Sequence, residues 1–371
     1  MNNGSHKMEI PWAKPTYWGK EEQYVLEALR STWISGGPFI ERFEGALAEY
    51  LGVKHALAVS NGTTAIHLAY LALGLRAGDE IVVPAFGFMA AANVALQLGL
   101  KPVFCDVDPR TWCMRAEDVR AVITPKTRAI VPVHSYGNVC ELESLLALGQ
   151  ERGIFVIEDA AEAFGSRTGE VYAGTLGTIN TFSFHATKTI ATGEGGLVVT
   201  NDDKLAHTAR LYRSHGLRRE RHYWHEVPGH NFRMTNLQAA LGCAQFEHIT
   251  HISIERQRVF ARYEGCLKSV PGAELQQKTP GTEPLIWAVS VLLSEDKFPQ
   301  GRDQVLTALA AKGIETRPGF QTPSEMSYFE KQSFAVSDRL CQWVLSLPTF
   351  PDLREGDIDL VCAELAALAR K

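Results

Sequence analysis

Three short segments carry residue types that could do chemistry together. The first is Phe182-Ser183-Phe184-His185-Ala186-Thr187-Lys188, followed by Gly193-Glu194-Gly195-Gly196 and the apolar run Leu197-Val198-Val199. A lysine set between a buried strand and a glycine-rich turn sits where desolvation lowers its pKa and makes its amine nucleophilic, as a Schiff-base lysine requires. The second is Ser60-Asn61-Gly62-Thr63-Thr64-Ala65, directly after Leu57-Ala58-Val59. Free N–H groups at a helix start, with small hydroxyl side chains beside them, form a cup for a phosphate. A plain helix cap by Thr63 or Thr64 is the alternative. The third is Ile154-Phe155-Val156-Ile157-Glu158-Asp159, a strand ending in two acids. Ligands of open α/β sheets lie beyond the carboxyl ends of the strands, so Asp159 is aimed at a site, unless it caps a strand-to-helix turn. An amine, a phosphate cup and a carboxylate are the three points that hold pyridoxal phosphate.

The elements that must position these residues follow an alternating pattern. Between about 53 and 200, apolar runs at 56–59, 80–83, 102–107, 128–133, 154–157, 178–184 and 196–200 predict strands. Helical segments at 64–73, 115–123, 142–151 and 204–215 fall between or after them. The fold class expected is α/β, a mostly parallel seven-stranded sheet covered by helices. Apolar residues at helical spacing then predict a long connecting helix within 234–267. A strand at 286–293, a helix at 304–312 and an amphipathic tail at 358–370 indicate a smaller α+β domain. The division expected is 9–250 for the large domain and 251–371 for the small one. Residues 1–8 lack a signal-peptide core, read partly as an expression remnant and are set aside.

Composition excludes several classes. The 371 residues hold 37 Lys+Arg against 42 Asp+Glu, a net charge of −5, far from the basic excess of a nucleic-acid binder. Seven cysteines, odd in number and without a CxxC pair, fit a reducing cytoplasm. The uncharged stretch 81–100 has the length of a bilayer span, but Pro84, Gly87, Asn93, Gln97 and Gly99 interrupt it, so no membrane segment is expected. His222, His225 and His230 could be drawn as a metal site; Pro228-Gly229 breaks the helix such spacing needs, and no metal is expected.

Across both halves the chain resembles the nucleotide-sugar aminotransferases of pyridoxal-phosphate fold-type I, the DegT/StrS group, and within it the perosamine-forming branch. The resemblance rests on SNGTTA at 60–65, PAFGFMAAAN at 84–93, DVDPRT at 106–111, VHSYG at 133–137, EDAAEAFGS at 158–166, FSFHATKTIATGEGG at 182–196 and HNFRMTNLQAALG at 230–242. It implies that Lys188 carries the cofactor and then shuttles a proton, and that Asp159 pairs with the pyridinium nitrogen. It further implies that Phe88 stacks on the ring, that Gly62, Thr63, Thr64 and Ser183 hold the phosphate, and that Glu162 lies near the phenolic oxygen, where many relatives carry Gln. Asn231 would reach the phosphate of a neighbouring subunit, which makes the active site shared within a homodimer. Trp33 and Ser35 in the WISGG turn would contribute at that boundary, against a plain loop with a packed tryptophan. His185 is read as a sugar contact or a support of the lysine loop, against a packed core histidine, and Arg317 as an anchor for a substrate anion, against a surface arginine.

The activity implied is transfer of an amino group from an amino acid, by family habit L-glutamate, through pyridoxamine phosphate to a keto sugar. GDP-4-keto-6-deoxymannose is the favoured acceptor. UDP- or dTDP-linked keto sugars, a keto-octulosonate, or a non-catalytic cofactor-binding regulator are the alternatives. A dehydratase of the same fold would carry histidine in place of Lys188. His185-Ala186-Thr187 and the stretch 319–324, which lacks a histidine common in relatives, depart from the pattern and bear on the wall that contacts the sugar.

Overall fold

The apolar runs meet in one sheet of seven strands: β1 (His55–Val59), β2 (Glu80–Pro84), β3 (Lys101–Cys105), β4 (Thr127–Ile130), β5 (Phe155–Val156), β6 (Asn180–Ser183) and β7 (Gly196–Thr200). The structure, a computed structural model, describes residues 10–218 and 221–370. Strands β3-β2-β4-β5 pair in parallel. Strands β6-β7-β1 continue the sheet, with β7 antiparallel to both neighbours. Asp159 joins the two groups, bridging to Val133 on one side and Thr181 on the other. The sheet is therefore mostly parallel, as expected, with one reversed strand. Strands β2, β6 and β7 are buried along their whole length; β2 and β7 accordingly read as nearly continuous apolar runs, whereas β6 buries Asn180, Thr181 and Ser183 beside Phe182. The β4 ladder is shorter than the run 128–133, because Pro132 has no N–H to donate; beyond Ile130 the Val131 N–H still reaches Val82 O (2.8 Å), and on the other side the pairing continues only as the Val133–Asp159 bridge.

Among the described residues twelve α-helices surround the strands: α1 (Glu21–Arg30), α2 (Pro38–Leu51), α3 (Gly62–Ala72), α4 (Ala90–Gln97), α5 (Ala116–Arg120), α6 (Leu142–Arg152), α7 (Asp203–Arg213), α8 (Asn236–Phe246), α9 (Ile249–Leu267), α10 (Arg302–Ala311), α11 (Ala335–Trp343) and α12 (Glu355–Leu368). The single long helix expected within 234–267 is two. Helix α8 buries Ala239, Ala240, Cys243 and Ala244 in the large core, whereas α9 carries Val259, Tyr263 and Leu267 into another core. The break falls at Glu247, whose carboxylate is held by Lys20 (2.8 Å), Tyr24 (2.7 Å) and Arg42 (2.5 Å). The stretch 81–100 forms β2, a loop and the short α4. Among the described residues no helix is long and apolar enough to cross a membrane.

A second sheet of four antiparallel strands follows: β8 (Ala273–Leu275), β9 (Ser290–Leu293), β10 (Arg317–Pro318) and β11 (Val344–Ser346), in the order β8-β9-β11-β10. The expected strand at 286–293 begins only at Ser290, and the residues before it bend. Its core takes side chains from α9, α10 and α12, and Ile10 joins it by pairing with Ile314. A separate cluster packs Phe86, Trp112 and Tyr136 with Trp287, Leu340 and Val344. Asp106, just past β3, caps α11 from a distance. Its carboxylate accepts the N–H groups of Val336 (2.9 Å) and Ser337 (2.8 Å) and the Ser337 hydroxyl (2.6 Å).

Candidate active site

Lys188 lies in the hairpin between β6 and β7. Rungs from Phe184 N–H to Gly195 O (2.8 Å) and from Ala186 N–H to Gly193 O (2.9 Å) continue the ladder outward, so the lysine loop stands directly on the sheet. Its side chain is only 13% exposed. Nζ is 3.4 Å from Glu162 Oε1 and 3.6 Å from the centroid of the Trp287 ring. Burial lowers its pKa, while Glu162 and Asp159 pull the other way.

Asp159 is almost wholly buried and accepts the Ala161 N–H at 3.1 Å. Burial pushes its carboxyl up to about 6, the Ala161 N–H opposes this, and the neighbouring Glu162 adds to it. The adjacent Glu158 has the opposite fate. Its carboxylate, fully buried, accepts the N–H groups of Gly174 (2.7 Å), Leu176 (2.7 Å) and Gly177 (2.8 Å) and lies 3.0 Å from His134 Nε2. The Cys140 N–H donates to His134 Nδ1 (3.2 Å), so the proton of that ring is on Nε2, directed at Glu158. Burial pushes Glu158 up, but these partners outweigh it and leave its pKa lowered. Glu162 spans two roles, with Oε2 accepting the Tyr136 N–H at 2.7 Å while Oε1 faces Lys188.

The segment expected to cup a phosphate lies at the start of α3. Asn61 Oδ1 accepts the Thr64 N–H (2.9 Å) and Thr64 Oγ1 accepts the Asn61 N–H (3.2 Å), a reciprocal capping box. Thr64 thus shapes the cup as part of its cap, and the N–H groups of Gly62 and Thr63 are left without a helical partner. Gly62 faces Ser183 so closely that a Cβ on it would lie 2.9 Å from Ser183 Cβ. Gly196, at the start of β7, passes so near that a Cβ there would be 2.5 Å from Asn61 O. The close approach of these two glycines brings the cup against the strand pair that carries Lys188.

The other residues singled out in the sequence lie in a looser ring. Phe88 is 62% exposed, with its ring centroid 6.4 Å from that of Phe320. Trp33, 67% exposed, and Ser35 occupy a loop whose carbonyls accept from Asn236 Nδ2 (2.7 Å) and Asn236 N–H (3.1 Å). Gln238, two residues on, donates to Glu194 O in the lysine hairpin at 2.7 Å. Asn231 is exposed, accepts from Arg233 (3.1 Å) and sits beside Phe232, whose carbonyl accepts the Ser60 N–H at 2.9 Å. His185 is exposed, with Nδ1 3.0 Å from Thr187 Oγ1. Arg317 is paired with Glu315 and lies over the Trp12 ring, which meets Trp287 edge-on at 5.5 Å. Of the three histidines drawn as a metal site, His225 bonds to His215 O (2.6 Å) and His230 stacks on Phe232. Two residues in contact with Lys188 escaped the sequence reading, Trp287 and Arg256.

The donor set fits pyridoxal phosphate: a tight anion cup, a buried carboxyl whose burial calls for a cationic partner, and a buried amine of lowered pKa. The family profile of the DegT/DnrJ/EryC1/StrS aminotransferases matches residues 16–366. The chain belongs to that family. It is 42% identical over 361 residues to the GDP-perosamine synthase of Caulobacter vibrioides, covering 96% of this chain and 97% of that protein. Among solved structures, the aminotransferase TlmJ from Streptoalloteichus hindustanus superposes with a TM-score of 0.91 at 30% identity, covering 96% of this chain and 98% of the other. The GDP-4-keto-6-deoxy-D-mannose-3-dehydratase of E. coli, with bound hydrated PLP, superposes at 0.90 with 26% identity, covering 97% and 100%.

Proposed function

We propose that this aminotransferase uses pyridoxal phosphate to move an amino group from L-glutamate to the ketone of GDP-4-keto-6-deoxymannose, in deoxyamino-sugar biosynthesis for lipopolysaccharide O-antigen. The observation that carries the reading is the Lys188 amine, buried beside Asp159 and Glu162 on a hairpin that abuts the α3 cup. The GDP-perosamine synthases at 37–42% identity support the acceptor. Lys188, where the dehydratase alternative calls for histidine, favours transamination.

Pyridoxal phosphate, when bound, supplies an electron sink for the carbanion formed at the substrate. Lys188 would hold it covalently at rest and, once released, move the proton at the amine-bearing carbon. Asp159 would face the ring nitrogen and keep it protonated. Gly62, Thr63 and Ser183 would take the phosphate within the frame set by Thr64, and Phe88 would cover the ring, with Glu162 near its phenolic oxygen. Asn231 and the Trp33–Ser35 loop would serve the partner's site in a homodimer, a pairing that would cover large apolar side chains now left in water at Trp33, Ile34, Phe88, Tyr223 and Trp224. His185 and Arg317 would contact the sugar and a substrate anion. Seven free cysteines fit a cytoplasmic enzyme.

Borohydride reduction of the purified enzyme followed by peptide mapping tests the assignment, with the pyridoxyl mass expected on Lys188. Lys188→Ala is expected to lose that mass and at least about 10³-fold in turnover. Glutamate with a panel of GDP-, UDP- and dTDP-linked keto sugars separates the acceptors; preference for a sugar on another nucleotide refutes the GDP assignment.

A further inference from the structure

The Lys188 amine rests against an aromatic face. Nζ lies 3.6 Å from the Trp287 ring centroid, well within the range of a cation–π contact. The indole is fixed from several sides. Its Nε1–H donates to Thr187 O at 2.7 Å, its backbone N–H donates to Tyr136 O at 2.9 Å, and its ring meets Trp12 edge-on. Arg256 of α9 then ties the indole segment to the lysine loop, donating to Trp287 O at 3.0 Å and to Lys188 O at 3.4 Å. This guanidinium is buried and forms no ion pair among the described residues, so its work is done on backbone carbonyls.

We propose that the indole face of Trp287 is the seat on which the Lys188 amine rests whenever it is not bound to the cofactor. The inference rests on Lys188 being the cofactor-bearing lysine. A released lysine side chain has four freely rotating carbons, and a proton shuttle needs its nitrogen kept within reach of the reacting carbon. An aromatic face, flanked by Glu162 at 3.4 Å, confines that nitrogen without consuming it in a strong ion pair. The face stabilises the ammonium over the amine, so the seat also sets the pH at which Lys188 becomes a base.

The test uses the holoenzyme in its aminated form, prepared with glutamate and no acceptor, in which Lys188 is released. Acetic anhydride labelling of Lys188 across pH, read by peptide mass spectrometry, gives the midpoint at which its amine becomes reactive. Trp287→Leu, and Trp287→Met as a second variant that fills more of the volume, are expected to lower that midpoint by about one unit. Trp287→Phe keeps a ring but loses the Nε1 hydrogen bond and is expected to stay within roughly 0.3 unit of wild type. Unchanged midpoints in the Leu and Met variants overturn the proposal. So does a Phe variant that falls as far as they do, which would assign the role to the bond with Thr187. Failure of the underlying reading shows separately, as a pyridoxyl mass absent from Lys188 in reduced wild-type enzyme.

Discussion

Replacing Asp159 with Asn isolates the cost of burying that carboxyl. The ordinary value for Asp is 3.8 and burial raises Asp159 to about 6, a difference of about 2 units or roughly 3 kcal/mol. Between those values the folded protein keeps a proton that the unfolded chain has released. Stability therefore falls as pH rises through the window, and the full cost is present above about pH 6. Asparagine cannot ionise, yet its amide oxygen can still accept the Ala161 N–H that Asp159 accepts at 3.1 Å. The cofactor-free Asp159→Asn variant should match wild type near pH 4 and exceed it by up to about 3 kcal/mol at pH 7.5, with the gap opening between. Urea denaturation at pH 4.5, 6 and 7.5 measures this directly. With pyridoxal phosphate present the order should invert, because the cationic ring nitrogen removes the penalty only where a carboxylate faces it, and turnover of the variant should fall by on the order of 10²-fold. A gap that is constant with pH, or a variant less stable than wild type at pH 7.5, refutes the reasoning.

Other perturbations separate structural from chemical roles. Glu158→Gln places an NH₂ group among donors that now meet a carboxylate oxygen, and should cost about 3 kcal/mol at pH 7 in urea denaturation. Because its pKa is lowered in the fold, the Glu158 contribution is present above the ordinary Glu value and lost as pH falls, so the deficit of the variant should shrink in acid. Gly62→Ala forces a methyl against Ser183 and should weaken pyridoxal phosphate binding roughly 5- to 100-fold by titration, as an overpacking cost of about 1–3 kcal/mol. Asp106→Ala uncaps α11 and should lower stability by about 1–2 kcal/mol while leaving the reducible Lys188 adduct intact.

The large sheet, and the place in it where Lys188, Asp159 and Gly62 come together, were legible because each follows from local pattern. Unbroken apolar runs mark strands buried on both faces, and Lys188, Asp159 and Gly62 all fall where such runs end. Trp287 was hidden for the same reason: it sits in an apolar run, 286–293, that reads as continuous strand although the chain bends before Ser290. Arg256 left a signal that went unused. Ile249, Ile252, Arg256, Val259 and Tyr263 share the buried stripe of α9, and a charge on such a stripe calls for a specific set of partners. The break between α8 and α9 had no glycine or proline to announce it. It arises from which core each helix packs on, information that exists only after the chain has folded. The positive φ of Tyr136 (62°), which lets its N–H reach Glu162, is equally invisible in a residue that rarely adopts it.

Reversal of β7 has a practical bearing on redesign. Because β6 and β7 run in opposite directions side by side, residues 184–195 leave the sheet and return to it at adjacent points, closed by the rung between Phe184 and Gly195. The segment behaves as a cassette with both ends clipped to one rail. Side chains on its outer face, such as the exposed His185, can therefore vary with little effect on where the ladder below holds the amine.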